Sequence, residues 1–124
     1  MSNQLPPAET GAEDVCCTPL ASEPLSGDQA AELAHKFKAI ADPVRLRLLS
    51  MIASHDGGEV CVCELTPRFA LTGPTISHHL RVLREAGLIT GERRGTWIYY
   101  RSHPAELARL SGVLVPELAM AVTA

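Results

Sequence analysis

The chain has 124 residues, 46% of them apolar but only 4% aromatic, and a formal net charge of −3. That length suits one domain with a modest core of Leu, Val, Ile and Ala, small enough to gain from a partner subunit. No apolar run approaches the roughly eighteen residues of a membrane span, and the first residues lack the charged start and apolar centre of a signal peptide, so a cytoplasmic protein with no membrane partner is expected.

The charge is unevenly spread. The first 35 residues hold six acids and no Lys or Arg, whereas Ile76 to Arg101 hold five arginines against Glu85 and Glu92. Local charge governs phosphate contact, so the acidic average does not exclude nucleic acid as a partner.

Residues 1–25 carry Pro6, Pro7, Pro19, Pro24 and several acids. They read as a flexible arm whose one chemical feature is the adjacent pair Cys16-Cys17. Residues 26–122 read as the folded unit. Ser26 with Gln29 three residues on forms a capping box that opens a helix through Ala41. Leu33, Phe37 and Ile40, with Ala30, Ala34 and Ala41, recur at helical spacing. Asp42-Pro43 ends that helix and starts another, because Asp caps and Pro suits a first helical position. The second helix runs to about Ser54 with Val44, Leu48, Leu49 and Ile52 inward, and Gly57-Gly58 breaks it.

Val60 to Phe69 reads as a short helix that tolerates Pro67 only if its turn is irregular or the helix begins late. Thr72-Gly73-Pro74 caps a fourth helix extending to Glu85, with Ile76, Leu80 and Leu83 as its buried stripe and Ala86-Gly87 as its stop. Leu88 to Arg101 reads as a β-hairpin turning near Arg94-Gly95. From Pro104 a last amphipathic helix shows Leu107, Leu110, Leu114 and Leu118, kinked or interrupted at Pro116. The order α-α-α-α-β-β-α is mainly α with a small β-hairpin. Two short helices joined by a tight turn and followed by a hairpin make a winged helix-turn-helix. Double-stranded DNA is the expected partner. The recognition helix offers Thr75, Ser77, His78 and His79 to bases or phosphates, with Arg81 and Arg84 as phosphate anchors. The wing tip offers Arg93 and Arg94 to the backbone or minor groove.

Reducing conditions keep Cys16, Cys17, Cys61 and Cys63 as free thiols, suited to metal binding or redox sensing rather than structural disulfides. Soft thiolates select Zn(II), Cd(II), Pb(II), Cu(I) or trivalent arsenic and antimony. Arsenite takes three sulfurs; tetrahedral Cd(II) or Zn(II) takes four ligands. Cys61 and Cys63 supply two, and the arm is long enough for Cys16, Cys17 or both to supply the rest, within or across subunits. Residues two apart on an ideal helix lie about 200° apart around its axis. Both sulfurs then meet one ion only if the first turn of the short helix loosens, and that distortion is the expected route to DNA release. The same cysteines also fit a peroxide-sensing switch. His35, His55 and His103 read as surface or capping residues. The chain has no Cys-x-x-Cys and no strand-helix-strand order, so an enzyme is not expected.

Three stretches resemble the ArsR/SmtB family of metal-responsive repressors: Phe37 to Leu49 (FKAIADPVRLRLL), Cys61-Val62-Cys63-Glu64-Leu65, and Pro74 to Leu88 (PTISHHLRVLREAGL). The resemblance implies a homodimeric winged helix, joined through its first and last helices, that represses an operon and leaves its operator when metal binds. It is nearest to the arsenical-resistance repressors, which implies As(III) or Sb(III) as inducer; an arm cysteine with Cys-Val-Cys also resembles the Cd(II)/Pb(II)-sensing branch. Three departures stand out. Thr66 occupies the place of the third cysteine in the usual arsenic pattern, so Cys16 or Cys17 must substitute. Gly73 replaces a frequent Gln, which removes a base contact. The last helix lacks the acid and histidine pattern of the zinc-sensing branch.

Overall fold

The structure, a computed structural model, describes residues 19–116. They form two compact units, residues 19–31 with 105–116 and residues 32–104. Cys16, Cys17 and Leu118 lie outside the described residues.

Helix α1 (Gly27–Ile40) opens on the expected capping box: Gln29 N–H donates to Ser26 Oγ at 3.1 Å and Ser26 N–H to Gln29 Oε1 at 2.9 Å. Two orphan donors of the first turn are thereby satisfied. Helix α2 (Pro43–Ser54) follows from Asp42, whose extended backbone (φ −145°, ψ 130°) lets Oδ1 accept from Val44 N–H at 2.9 Å and Arg45 N–H at 3.4 Å. Pro43, with no N–H, costs nothing at the first helical position. Leu48, Leu49 and Ile52 are buried as expected; Val44 is only half-buried.

The stretch expected as one short helix from Val60 is three pieces. Val60–Cys61 is a strand, β1; Val62–Leu65 is a single helical turn, α3; Thr66–Arg68 is a 3-10 turn that accommodates Pro67. A two-residue strand has no periodicity of its own to read. Its existence depends on a partner, the pairing of Val60 with Tyr100 and Cys61 with Tyr99.

Helix α4 (Gly73–Glu85) starts at Thr72, whose Oγ1 accepts from Thr75 N–H at 3.3 Å. It stops at Ala86, whose carbonyl takes a 2.7 Å hydrogen bond from Lys36 Nζ, a cation placed at the negative end of the helix dipole. Strands β2 (Ile89–Arg94) and β3 (Trp97–Ser102) pair antiparallel from Ile89–Ser102 to Arg94–Trp97, turning at Gly95 with φ +66°. The sheet order is β1-β3-β2, so the expected hairpin carries a third strand on its β3 edge.

The core of residues 32–104 is made by Leu48 and Ile52 of α2, Leu65 of α3, Ile76, Leu80 and Leu83 of α4, and Leu88, all essentially inaccessible to solvent. Each such side chain contributes about 1.5–3 kcal/mol by leaving water. In the other unit, helix α5 (Pro104–Val113) ends on a hydrogen bond from Leu20 N–H to Val113 O, 2.8 Å. It stops three residues before Pro116, because a residue preceding proline is pushed out of the helical region. Leu114, expected on its apolar stripe, is 59% exposed.

Candidate DNA-reading face and thiol pair

Helix α4 has one apolar face, on Ile76, Leu80 and Leu83, which docks it against α2 and β2. At about 100° per residue, Pro74, His78, Arg81 and Glu85 fall on the opposite face. Ser77 and Arg84 lie on one flank, Thr75 and His79 on the other. Ser77, His78, Arg81 and Arg84 are exposed, whereas Thr75 and His79 are half-buried. Thr75 is drawn into the cap, its Oγ1 2.8 Å from that of Thr72. His79 faces Arg45 of α2, with Arg45 Nη1 3.3 Å from His79 Nδ1.

Arg45 is tied down on its remaining sides. Nε donates to Ala39 O at 2.6 Å, Nη2 to Lys38 O at 3.4 Å, and Nη1 lies 3.7 Å from Asp42 Oδ2. Partial burial opposes the charge on Asp42. The hydrogen bonds from Val44 and Arg45 and the Arg45 cation outweigh it and hold the carboxyl below its ordinary value.

The two wing arginines have different surroundings. Alternation along β2 sends neighbouring side chains to opposite faces. Arg94 shares a face with Glu92, Tyr99 and Trp97; Arg93, paired with Ile98, points to the other and is exposed. Arg94 is gripped by Glu59 through both terminal nitrogens, meets Glu92 at 2.9 Å, and stacks its guanidinium 4.6 Å from the Tyr99 ring centre. Arg101 also binds Glu59. These arginines lower the Glu59 pKa, Arg94 foremost, and the two carboxylates raise that of Arg94. All three arginines are exposed, but Arg94 and Arg101 are paired with carboxylates, whereas Arg93 has no ion pair among the described residues.

The thiols meet in a way the helical reading did not anticipate. Cys61 lies in β1 and is the N-cap of α3, with extended backbone (φ −74°, ψ 142°), so it is outside the helix that holds Cys63. Their Cα atoms are 5.1 Å apart and their sulfurs lie at bonding distance, joined as a disulfide. Cys63 N–H also donates to Cys61 Sγ at 3.1 Å. The 200° separation of an ideal helix does not apply, and no turn has to loosen for the sulfurs to converge. Cys61 is buried and Cys63 exposed.

His55 lies beside this site but is already engaged. Its Nδ1 is 2.9 Å from Asp56 O and its Nε2 is 2.9 Å from Glu64 Oε1. Both partners are acceptors, so they favour the imidazolium and raise the His55 pKa, the Asp56 carbonyl most. Among the described residues, no three His, Cys, Asp or Glu side chains gather as a metal site. Cys61 and Cys63 therefore need donors from elsewhere to hold a metal or metalloid.

Three residues that contact the candidate site were not singled out from the sequence: Arg45, Glu59 and Lys36. Each acts across 34 or more residues of chain, on His79, Arg94 and Ala86 respectively. The nearest signal is the Asp-Pro-Val-Arg run, which the sequence marks as a helix start and as part of the family-like stretch, with no role attached to Arg45.

The family model "Bacterial regulatory protein, arsR family" matches residues 42–90. The chain is 52% identical over 68 residues to the arsenic resistance transcriptional regulator ArsR1 of Pseudomonas putida, covering 55% of this chain and about half (52%) of that one. It is 42% identical over 83 residues to the arsenical resistance operon repressor of Bacillus subtilis, covering 67% of this chain and 74% of that one. The homodimeric winged helix-turn-helix DNA-binding domain of a possible ArsR-family regulator from Mycobacterium bovis superposes with a TM-score of 0.57 at 30% identity, over 80% of this chain and 87% of that one.

Proposed function

Because the chain belongs to the arsR family of bacterial regulatory proteins, we propose that it is a homodimeric repressor that releases operator DNA when arsenite or antimonite binds its cysteine thiolates. The protein is a winged helix-turn-helix transcriptional regulator and not an enzyme. Among the described residues, no helix is long and apolar enough to cross a membrane. Residues 1–25 act as the sensing arm and 26–122 as the DNA-binding and dimerisation domain.

The observation that carries the reading is the convergence of the Cys61 and Cys63 sulfurs at a strand of the wing sheet. Two adjacent soft donors fit a thiophilic ligand. Cys16 or Cys17 completes a three-sulfur arsenite site; both together complete a four-sulfur Cd(II) or Pb(II) site. Drawing the arm onto the pair displaces β1 and the N-cap of α3, and β1 is hydrogen-bonded to β3. Release therefore reaches the DNA through the wing strand rather than by unwinding a helix. Dimerisation through the first and last helices is supported by apolar surface left open there: Ala30 and Ala34 on α1, and Leu114 just beyond α5, are exposed.

The disulfide favours a second reading, a redox switch. In that case the Cys61 and Cys63 thiols give up two protons and two electrons to hydrogen peroxide, which leaves as two waters while the S–S bond forms. One titration separates the readings: reduced protein on its own promoter DNA, followed by anisotropy, with arsenite, cadmium and peroxide in parallel. Release by near-stoichiometric arsenite, with cadmium weaker, is expected. Release by cadmium alone assigns the four-thiolate site, and release by peroxide alone assigns the switch.

A further inference from the structure

Arg45 of α2 is anchored on several sides within residues 32–104. Its guanidinium bonds Ala39 O and Lys38 O at the end of α1 and approaches the Asp42 cap, with its side chain only 17% exposed. The remaining contact is Nη1 to His79 Nδ1 on α4, 3.3 Å. A guanidinium carries donors and no acceptor, so the ring nitrogen facing it must accept. The neutral imidazole then carries its proton on Nε2, at the far edge of the ring, and no partner for Nε2 occurs among the described residues. Unlike His78 on the outward face, His79 lies on the flank of α4, where a ring reaches a groove only if something aims it.

We propose that Arg45 is a positioning residue for base recognition: it locks His79 in the tautomer whose Nε2–H donates to an acceptor on a base edge, such as a purine N7, in the major groove. The proposal rests on the reading of α4 as the recognition helix. It adds a residue one helix away that determines what His79 can read. A histidine free to exchange tautomers offers a donor or an acceptor and tolerates either kind of base edge. Held by Arg45, it offers only a donor and discriminates. The same contact braces α4 against the α1–α2 corner, so the reading geometry is built before DNA arrives and little ordering remains at binding.

Two readouts test it on the full-length reduced protein. Long-range nitrogen–proton NMR of the histidine rings, without DNA, should show His79 with unprotonated Nδ1. Arg45→Met should mix in the Nδ1–H tautomer, and Arg45→Lys, which keeps a donor, should largely restore the original signal. An unchanged His79 tautomer in Arg45→Met overturns the proposal. Promoter DNA carrying 7-deazapurines, which lack the N7 acceptor, supplies the second readout. One position in one half-site should cost the wild type roughly 2- to 10-fold in affinity, the range of a single hydrogen bond. That sensitivity should vanish in Arg45→Met and in His79→Phe, and the double variant should lose no more than either. The slope of affinity against salt should not change. A uniform loss on all sequences, with a slope shallower by about one per subunit, makes Arg45 a phosphate contact and overturns the proposal. No affinity of the wild type for any promoter fragment at low salt sinks the recognition-helix reading, and this proposal with it.

Discussion

Glu59 holds Arg94 through both terminal nitrogens of its guanidinium, and it does so two residues before Cys61 in the chain. One of the two wing arginines is thus bound by a carboxylate of the segment that carries the cysteine pair. Cys61 in turn opposes Tyr99, the ring on which Arg94 stacks. Cys61 on β1 and the wing charge on β2 therefore meet on one face of a three-stranded sheet, across its central strand β3.

Removing that carboxylate should free the wing. Glu59→Gln is expected to tighten operator binding at low salt and to steepen the salt dependence, by about 0.9 for each phosphate that Arg94 or Arg101 newly reaches. Anisotropy titrations at several salt concentrations measure it. An unaltered slope means that neither arginine can reach the DNA.

The cysteines should separate by role. Cys63→Ser is expected to leave operator affinity intact while abolishing arsenite-induced release, which in the wild type should span roughly 5- to 150-fold for an ordinary coupling energy. Cys61→Ser should do the same and keep the α3 cap, because a serine hydroxyl accepts the Cys63 N–H at least as well as sulfur. Release that survives either change removes the pair from the sensor. Replacing Cys16 and Cys17 singly and together then distinguishes a three-sulfur from a four-sulfur site.

Asp42 makes a pH prediction with a definite sign. Its folded-state pKa is depressed, so its contribution is fully present above the ordinary aspartate value and is lost as pH falls through the lowered one. Asp42→Ala should cost about 1 kcal/mol near neutral pH, the usual loss of an N-cap. Urea melts of both proteins between pH 7 and strong acid should show the gap closing in the acid limb. A gap that stays constant with pH would falsify the assignment of the cap to the ionised carboxylate.

Gly95 isolates a backbone effect. At φ +66° it occupies left-handed space, and a Cβ added there meets no atom within 4 Å. Gly95→Ala should therefore cost about 1–2 kcal/mol from backbone strain alone. Thermal melts would reveal it; a neutral result would indicate a turn that rearranges freely.

Local chemistry in the sequence sufficed for the helix starts and the hairpin turn. The Ser26–Gln29 box, the Asp42-Pro43 start, the Thr72 cap and the turn at Gly95 are settled by residues within three or four positions of one another. Backbone donors there are satisfied by neighbours whatever the rest of the chain does. The apolar period of α4 likewise placed Ile76, Leu80 and Leu83 in the core. What the sequence left open depends on partners far along the chain. The two-residue strand at Val60–Cys61 exists because Tyr99 and Tyr100 pair with it, and that pairing takes Cys61 out of the helix and brings its sulfur to Cys63. Arg93 and Arg94 are the same residue type side by side, yet the pleat of β2 turns them to opposite faces and gives only Arg94 to Glu59. His79 meets Arg45 across 34 residues because α2 and α4 share a core. Caps and turns are short-range equilibria written in neighbouring residues, whereas strand pairing, charge pairing and ring tautomer are decided only when packing brings distant side chains within hydrogen-bonding reach.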